Sequence, residues 1–232
     1  MVRVADSVDR NRPSQTKTNN QTRILRSVMK NICLLLAFTS LALPILAAPQ
    51  SFDFKDPKGV NNAAFKLDGL LESINGTANG VSGTVRFDLE NPASLTGRIV
   101  VAADSLRVPN PVMQGHLIGK DWMDVATHKD IIFAEEKAAN VKTAGNDTTA
   151  DVTGKFGLRG ITKEITVPVR LTYLKDKLGA RTMGRMEGDL LVIRSTFKIK
   201  RSDFGINPKA PADNVSDDIE LVLSLAGASP KN

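Results

Sequence analysis

Between Ile161 and Tyr173 apolar and polar positions alternate with almost no interruption. Ile161, Ile165, Val167, Val169, Leu171 and Tyr173 fall on one side, and Thr162, Glu164, Thr166, Arg170 and Thr172 on the other. Lys163 is the one break in the apolar row. A period of two describes a strand with one dry face and one wet face. Pro168 lies on the wet side, and its missing N–H asks for an edge-like or bulged position.

Comparable rows recur along the chain. Phe52-Asp53-Phe54 reads as a short opening strand. Phe65, Leu67 and Leu71 alternate with Lys66, Asp68 and Leu70, and Val85, Phe87 and Leu89 with Arg86, Asp88 and Glu90. Leu95 to Ala103, a short strand at Ile131 and Phe133, Asp147 to Leu158, Gly184 to Ile199 and the row Ile219, Leu221, Leu223, Leu225 complete the series. A change of phase near Arg194-Ser195 predicts a bulge. Asn75-Gly76, Asn79-Gly80, Asn91-Pro92 and Gly160 are turn signals. Pro109 to Val125 is the exception, where partial helical spacing predicts a short helix or two across one end of the sheet. About eight strands without long helices between them predict an antiparallel sandwich or barrel, not βαβ units.

The chain start changes the charge balance. Met29 to Ala47 has a basic residue, Lys30, then the short apolar run Ile32 to Leu43, then Pro44 and the small residues Ala47 and Ala48. This is the pattern of a secretory signal peptide, 29–47, with cleavage expected after Ala47. The run is shorter than the roughly 20 residues of a membrane span. The polar, arginine-rich stretch 1–28 reads as an upstream extension outside the native protein, with translation beginning at Met29. The whole chain carries a formal +6. Residues 1–47 hold seven Lys/Arg against two Asp/Glu, five of those six charges, which leaves 48–232 near +1. The basic character therefore gives no argument for nucleic-acid binding. The single cysteine, Cys33, lies in the signal, so the exported chain has neither disulfide nor thiol chemistry. Residues 48–227 read as one domain, and 228–232 as a frayed polar tail.

Candidate chemistry is sparse. The two histidines, His116 and His128, lie near Asp121, Asp124 and Asp130, but their spacing matches no metal-ligand pattern. No G-x-S-x-G elbow supports a nucleophile, and Gly115 to Lys120 is one residue short of a phosphate loop. One Trp and one Tyr are too few for base stacking along a nucleic acid. The basic residues Arg194, Lys198, Lys200 and Arg201 read as a solvated strand face or as cations at a cavity mouth. Trp122 reads as a plug at the end of the core or as the lining of an entrance.

Six motifs in order then resemble one family. They are Val81-Ser82-Gly83-Thr84-Val85-Arg86-Phe87-Asp88; Ala103-Asp104-Ser105-Leu106; His116-Leu117 with Asp121-Trp122-Met123-Asp124 and Ile131-Ile132-Phe133; Val152 to Lys163; Arg201-Ser202-Asp203-Phe204-Gly205-Ile206; and Asp217-Asp218-Ile219-Glu220-Leu221. Together these are similar to the YceI-like family and cover nearly all of the exported chain. Arg159 stands where the family often has His, and His128-Lys129 where it usually has an aromatic or His followed by Pro.

The resemblance implies an all-β fold, an antiparallel eight-stranded lipocalin-like barrel with a short helical segment across one end. It implies a periplasmic, non-catalytic protein that binds or carries an amphiphilic lipid of the polyisoprenoid or isoprenoid-quinone class, with a homodimer as a further expectation. No cofactor, metal, nucleic acid or membrane span of the mature form is expected. The expected ligand contacts are Phe87, Ile99, Val101, Phe133, Phe156, Val167, Val169 and Phe197 inside, with Leu95 and Leu223 in the same wall. Leu106, Leu117, Trp122 and Phe204 are placed near the entrance. Arg201 is the candidate polar contact, a strand-end salt bridge with Asp203 or Asp218 being its other reading. Gly69, Gly97, Ala103 and Gly154 are expected to leave room inside. Two alternatives stay open: an enzyme acting on a lipid or quinone through Asp104, His116, Asp121 or His128, and a fully packed barrel serving as an interaction module.

Overall fold

The computed structural model describes residues 49–231, Ala212 excepted. The expected signal peptide and upstream extension lie outside the described residues. Eleven strands form one antiparallel sheet: β1 (Gln50–Asp53), β2 (Asn62–Asp68), β3 (Ser73–Ala78), β4 (Val81–Phe87), β5 (Thr96–Ala102), β6 (Leu106–Arg107), β7 (Asp130–Ala144), β8 (Asp147–Leu158), β9 (Ile161–Leu174), β10 (Gly188–Lys200) and β11 (Asp218–Pro230). Helix α1 (Pro111–Ile118) lies between β6 and β7, and the one-turn α2 (Leu178–Thr182) between β9 and β10.

The eleven strands make eight staves, because the first three staves are each broken once. β1 and β2 share one edge of β11, at Asp53↔Ala228 and at Glu220↔Lys66 through Ser224↔Asn62. β3 and β4 pair in turn with β2 and β1, and β6 and β5 with β3 and β4. Adding β7 to β11 closes the ring. Closure pairs most strand edges, which limits the main hazard of an isolated sheet, and leaves an unpaired edge where a ladder stops short, as along Ile161–Val167.

Alternation decides the inner face. Along β8 the even residues from Thr148 to Leu158 point inward and all six are buried. Along β10 the odd residues Leu191, Ile193, Ser195, Phe197 and Ile199 do so in one unbroken phase. No bulge interrupts β10 at Arg194-Ser195, since its register with β11 runs without a shift from Gly188↔Pro230 to Lys200↔Asp218. The apparent change of phase is Ser195 itself, a hydroxyl on the inner face. Its Oγ donates to the Pro168 carbonyl at 2.6 Å, at the point where the β9–β10 ladder ends with Ser195↔Val169. Pro168 thus sits at an edge-like position on its β10 side, as its missing N–H requires, while still opposite Asp151 of β8.

Three sequence expectations are corrected. The strand at Ile131 and Phe133 runs for 15 residues, with register shifts at Glu135/Lys137 and Ala139/Lys142 that break its period. Asn75-Gly76 is mid-strand rather than a turn, and a side chain at Gly76 would collide with the Phe65 ring and the Arg107 carbonyl. The polar tail is not frayed through Pro230: Ser229 and Pro230 pair with Asp189 and Gly188, since a ladder needs backbone and not apolar side chains.

One end of the barrel is sealed. Phe52, Phe54, Leu171, Leu191 and Leu225 are fully buried there, with Leu178 of α2 beside them. Phe52 meets Tyr173 edge to face at 6.3 Å between ring centres. Burial and the nearby Asp189 push the Tyr173 phenol up to about 12. Asp189 accepts from Tyr173 Oη at 2.8 Å, Gln50 Nε2 at 2.9 Å and the Asp176 N–H at 2.8 Å. Burial alone would raise its pKa, but these bonds outweigh it and hold the carboxyl below its ordinary value.

Candidate binding cavity

The other half of the barrel is hollow. A cavity of about 910 Å³ runs inward from the end at which α1 sits. This lies within the usual range for a small-molecule site, roughly 300–1,000 Å³. The fully packed interior left open by sequence is therefore not what the chain builds. Inward positions of β7 to β11 supply most of the wall, including Ile131, Phe133, Val152, Phe156, Leu158, Val167, Val169, Ile193, Phe197, Ile199, Ile219, Leu221 and Leu223.

The rim comes from α1 and two loops. Asn110 caps α1, its Oδ1 accepting from the Val112 and Met113 N–H groups at 2.9 and 3.1 Å, and Pro111 occupies the first turn, where no N–H is needed. Met113, His116 and Leu117 of this helix face the cavity, followed by Lys120, Asp121 and Trp122. Residues Ile206 to Val215 supply the opposite lip through Ile206, Asn207, Lys209, Ala210, Pro211, Asn214 and Val215. Glu72 and Ile74 add a third contribution.

Of the expected contacts, Ile99, Val101, Leu106, Leu117, Trp122, Phe133, Phe156, Val167, Val169 and Phe197 lie on the cavity wall. Phe87, Phe204 and Arg201 do not. Phe87 is buried nearer the sealed end, where β4 pairs with β1 at Gln50. Phe204 is buried behind the wall, edge to face with Phe156 at 5.5 Å, and so props a wall residue. Arg201 is only 4% exposed and its guanidinium is consumed by backbone. It donates to the carbonyls of Ile206 at 2.7 Å, Ser216 at 3.3 Å and Asn207. Neither salt bridge forms, because Asp203 pairs with Lys163 at 2.5 Å and Asp218 with Lys200 at 3.3 Å. Arg201 is instead the strut of the 201–217 loop, and it approaches the Trp122 ring at 6.0 Å.

The small residues serve close approach more than space. Gly97 lines the cavity, but a side chain at Gly69 would meet the Asn214 carbonyl, and Ala103 is buried away from the wall. Arg159, unusual for the resemblance, bridges the β8–β9 turn to both lips by donating to Gly205 O at 2.8 Å and Lys120 O at 2.9 Å. His128 lies over Gly160 in the same turn, where a Cβ would stand 2.7 Å from the imidazole. His116 and Asp121 reach the rim, whereas Asp104 and His128 are off the wall. Among the described residues no group of three or more His, Cys, Asp or Glu side chains is placed to hold a metal ion.

Sequence reasoning missed Glu135. It follows Ile131 and Phe133 on the inner face of β7 and lines the cavity. Its Oε1 is sealed from solvent with no hydrogen-bond partner, and burial pushes its pKa up to about 7. In the sequence it sits beside the charged Glu136 and Lys137, both exposed, which break the alternation begun by Ile131 and Phe133.

The model of the YceI-like domain matches residues 56–226. The chain belongs to the YceI-like family. It is 29% identical over 208 residues to the protein YceI of Escherichia coli, covering 88% of this chain and all of that one. A UPF0312 protein of Pseudomonas aeruginosa is 28% identical over 197 residues, covering 83% of this chain and 96% of that protein. Among solved structures, BcnA of Burkholderia cenocepacia is similar with a TM-score of 0.58 at 22% identity, over 72% of this chain and 95% of that one. The YceI protein of Campylobacter jejuni gives a TM-score of 0.55 at 21% identity, over 67% and 85%. As a member of the YceI-like family the chain has a lipocalin-like binding fold. Among the described residues no helix is long and apolar enough to cross a membrane.

Proposed function

We propose that this YceI-like chain is a non-catalytic binding or carrier protein for one amphiphilic lipid of the polyisoprenoid or isoprenoid-quinone class, working in the periplasm after export by residues 29–47. The cavity carries the reading: about 910 Å³, walled almost wholly by apolar side chains and open at one end. An apolar tail placed there leaves water at roughly 25 cal/mol per Å². The charged wall residues other than Glu135 are Glu72, Lys120, Asp121 and Lys209, all exposed like His116 beside them, which suits a rim in contact with water better than an enclosed reaction centre.

Organic extraction of natively produced protein, followed by mass spectrometry, tests this. The expected result is one isoprenoid per chain. No extractable lipid, together with no thermal shift on adding a prenol or a prenylated quinone, would refute it. Recovery of a turnover product that depends on His116 would replace it with an enzymatic role.

A further inference from the structure

Most polar groups along the cavity are already engaged or lie at the rim. The Ser195 hydroxyl is given to Pro168, and Glu72, His116, Lys120, Asp121 and Lys209 stand exposed at the mouth. Glu135 is the exception. It lies five residues along β7 from Asp130, the rim end of that strand, or about 17 Å of strand at the usual rise. Ile131 and Phe133 stand between it and the opening.

The backbone is shaped to put it there. Glu135 pairs with Gly154 of β8, and the next registered pair is Lys137↔Thr153, so Glu136 is the extra residue of a bulge. The bulge sends Glu136 outward, where it pairs with Lys155 at 2.8 Å, and brings Ala138 opposite the inward Val152. Without it, Lys137 would take the next inward place. On β5, Gly97 lies one residue beyond the pair Arg98↔Ala134, which puts a glycine on each side of Glu135. No charged side chain faces it from the elements packed on β7. Arg98 of β5 and Lys155 of β8 are exposed on the outer face, and the turn Pro92–Ser94 has no charged residue.

A carboxyl oxygen sealed from water without a partner, as Glu135 Oε1 is, costs free energy, and such a group in a cavity is accounted for when a ligand completes it. We propose that Glu135 is the specificity-determining residue of this cavity, its protonated carboxyl donating a hydrogen bond to a carbonyl oxygen of the bound lipid. This rests on the lipid-binding reading and narrows it to an uncharged, carbonyl-bearing lipid such as a prenylated quinone. A carboxylate or phosphate head group at this depth would meet an acid without any cation to balance it. Proton sharing with a neutral carbonyl breaks no covalent bond, and deprotonation of Glu135 removes the donor.

The test compares a prenylated benzoquinone with the prenylated benzene of the same tail, each displacing a fluorescent apolar probe from the full exported chain at pH 5.5 and 8.5. The wild type is expected to prefer the quinone about tenfold at pH 5.5, as one buried hydrogen bond allows, and to lose most of that preference at pH 8.5. E135Q keeps a donor that does not titrate, so its preference persists at both pH values. E135L binds the two ligands alike while still binding the hydrocarbon, which shows that the barrel is intact. An unchanged quinone preference in E135L, or equal binding of both ligands by the wild type, overturns the assignment and leaves the lipid-binding reading standing. Failure of the wild type to take up either ligand overturns both.

Discussion

Asn61 holds the barrel together at the place where its first stave is broken. β11 pairs with β2 as far as Ser224↔Asn62 and with β1 at Ala228↔Asp53, so Ala226 falls in the gap between the two strands. Asn61 fills the gap as a peptide group would. Its Oδ1 accepts from the Ala226 N–H at 2.9 Å, and its Nδ2 donates to the carbonyls of Ala226 and Phe54, each at 3.1 Å. The side chain is 2% exposed, so water cannot replace it. Asn61→Leu would remove the three hydrogen bonds to backbone, about 1 kcal/mol each, along with a longer one from Arg181 at 3.4 Å, and leave buried backbone groups unpaired. A loss of about 3 kcal/mol is expected, or a fall in Tm of about 6–12 °C for a domain of this size. Asn61→Asp should be at least as damaging at neutral pH, because a carboxylate accepts from Ala226 but cannot donate to either carbonyl. Urea unfolding followed by circular dichroism measures both. A change below about 1 kcal/mol in Asn61→Leu, with an unaltered m-value, would refute the claim that a side chain substitutes for the missing ladder.

Arg201→Met should cost about 2–4 kcal/mol and loosen residues 201–217, and Arg201→Lys should not rescue it, because an ammonium cannot reproduce the guanidinium fork over three carbonyls; denaturation and proteolysis of that loop report both. Glu135 has a folded pKa of about 7, above its ordinary 4.5, so the native state binds more protons than the unfolded state between those values and stability falls as pH rises through them. Because the group is only partly buried, the loss is on the order of 1–2 kcal/mol between pH 4.5 and 8, and a Glu135→Gln variant should lack this component in paired unfolding curves. Val169→Trp places an indole on the cavity wall and should leave the circular dichroism spectrum unchanged while reducing lipid uptake at least tenfold. Amides of Ile161–Val167 should exchange with deuterium before those of β8 and β11, since this half of β9 is paired to β8 alone.

The strands most legible in the sequence are those whose two faces differ in polarity throughout. β8 and β9 begin where alternation predicts, and β9 ends within one residue, because each is paired in regular register over its length. The cavity wall followed from the same rows. Legibility failed where a residue does something other than separate water from core. β7 was cut short because its bulges shift phase and its inward row contains Glu135. Ser195 looked like a bulge because a hydroxyl on the inner face breaks an apolar row as a phase change does. Arg201 looked like a ligand for an anion because sequence shows a cation but not the carbonyls of Ile206, Asn207 and Ser216 that surround it. The gap at Ala226, and hence the role of Asn61, depends on which distant strand passes it, and local pattern does not contain that.

The two ends of the barrel are held by different kinds of interaction. At the sealed end, buried aromatic and aliphatic side chains surround a carboxylate with three donors, and β9, β10 and β11 are laddered together from Leu174↔Leu190 to Val169↔Ser195. At the open end the β9–β10 ladder stops, and β9 with the turn before it is tied to the turn after β10 by side chains: Lys163 with Asp203, and Arg159 with the Gly205 carbonyl. The first is an exposed ion pair, worth about 0–1 kcal/mol. Separating the strands there breaks apolar packing but no ladder hydrogen bonds, whereas the sealed end is laddered throughout. Function and stability are thereby assigned to opposite ends of the same staves. If the cavity takes a lipid, as proposed, this seam is where the mouth can widen without breaking a ladder hydrogen bond.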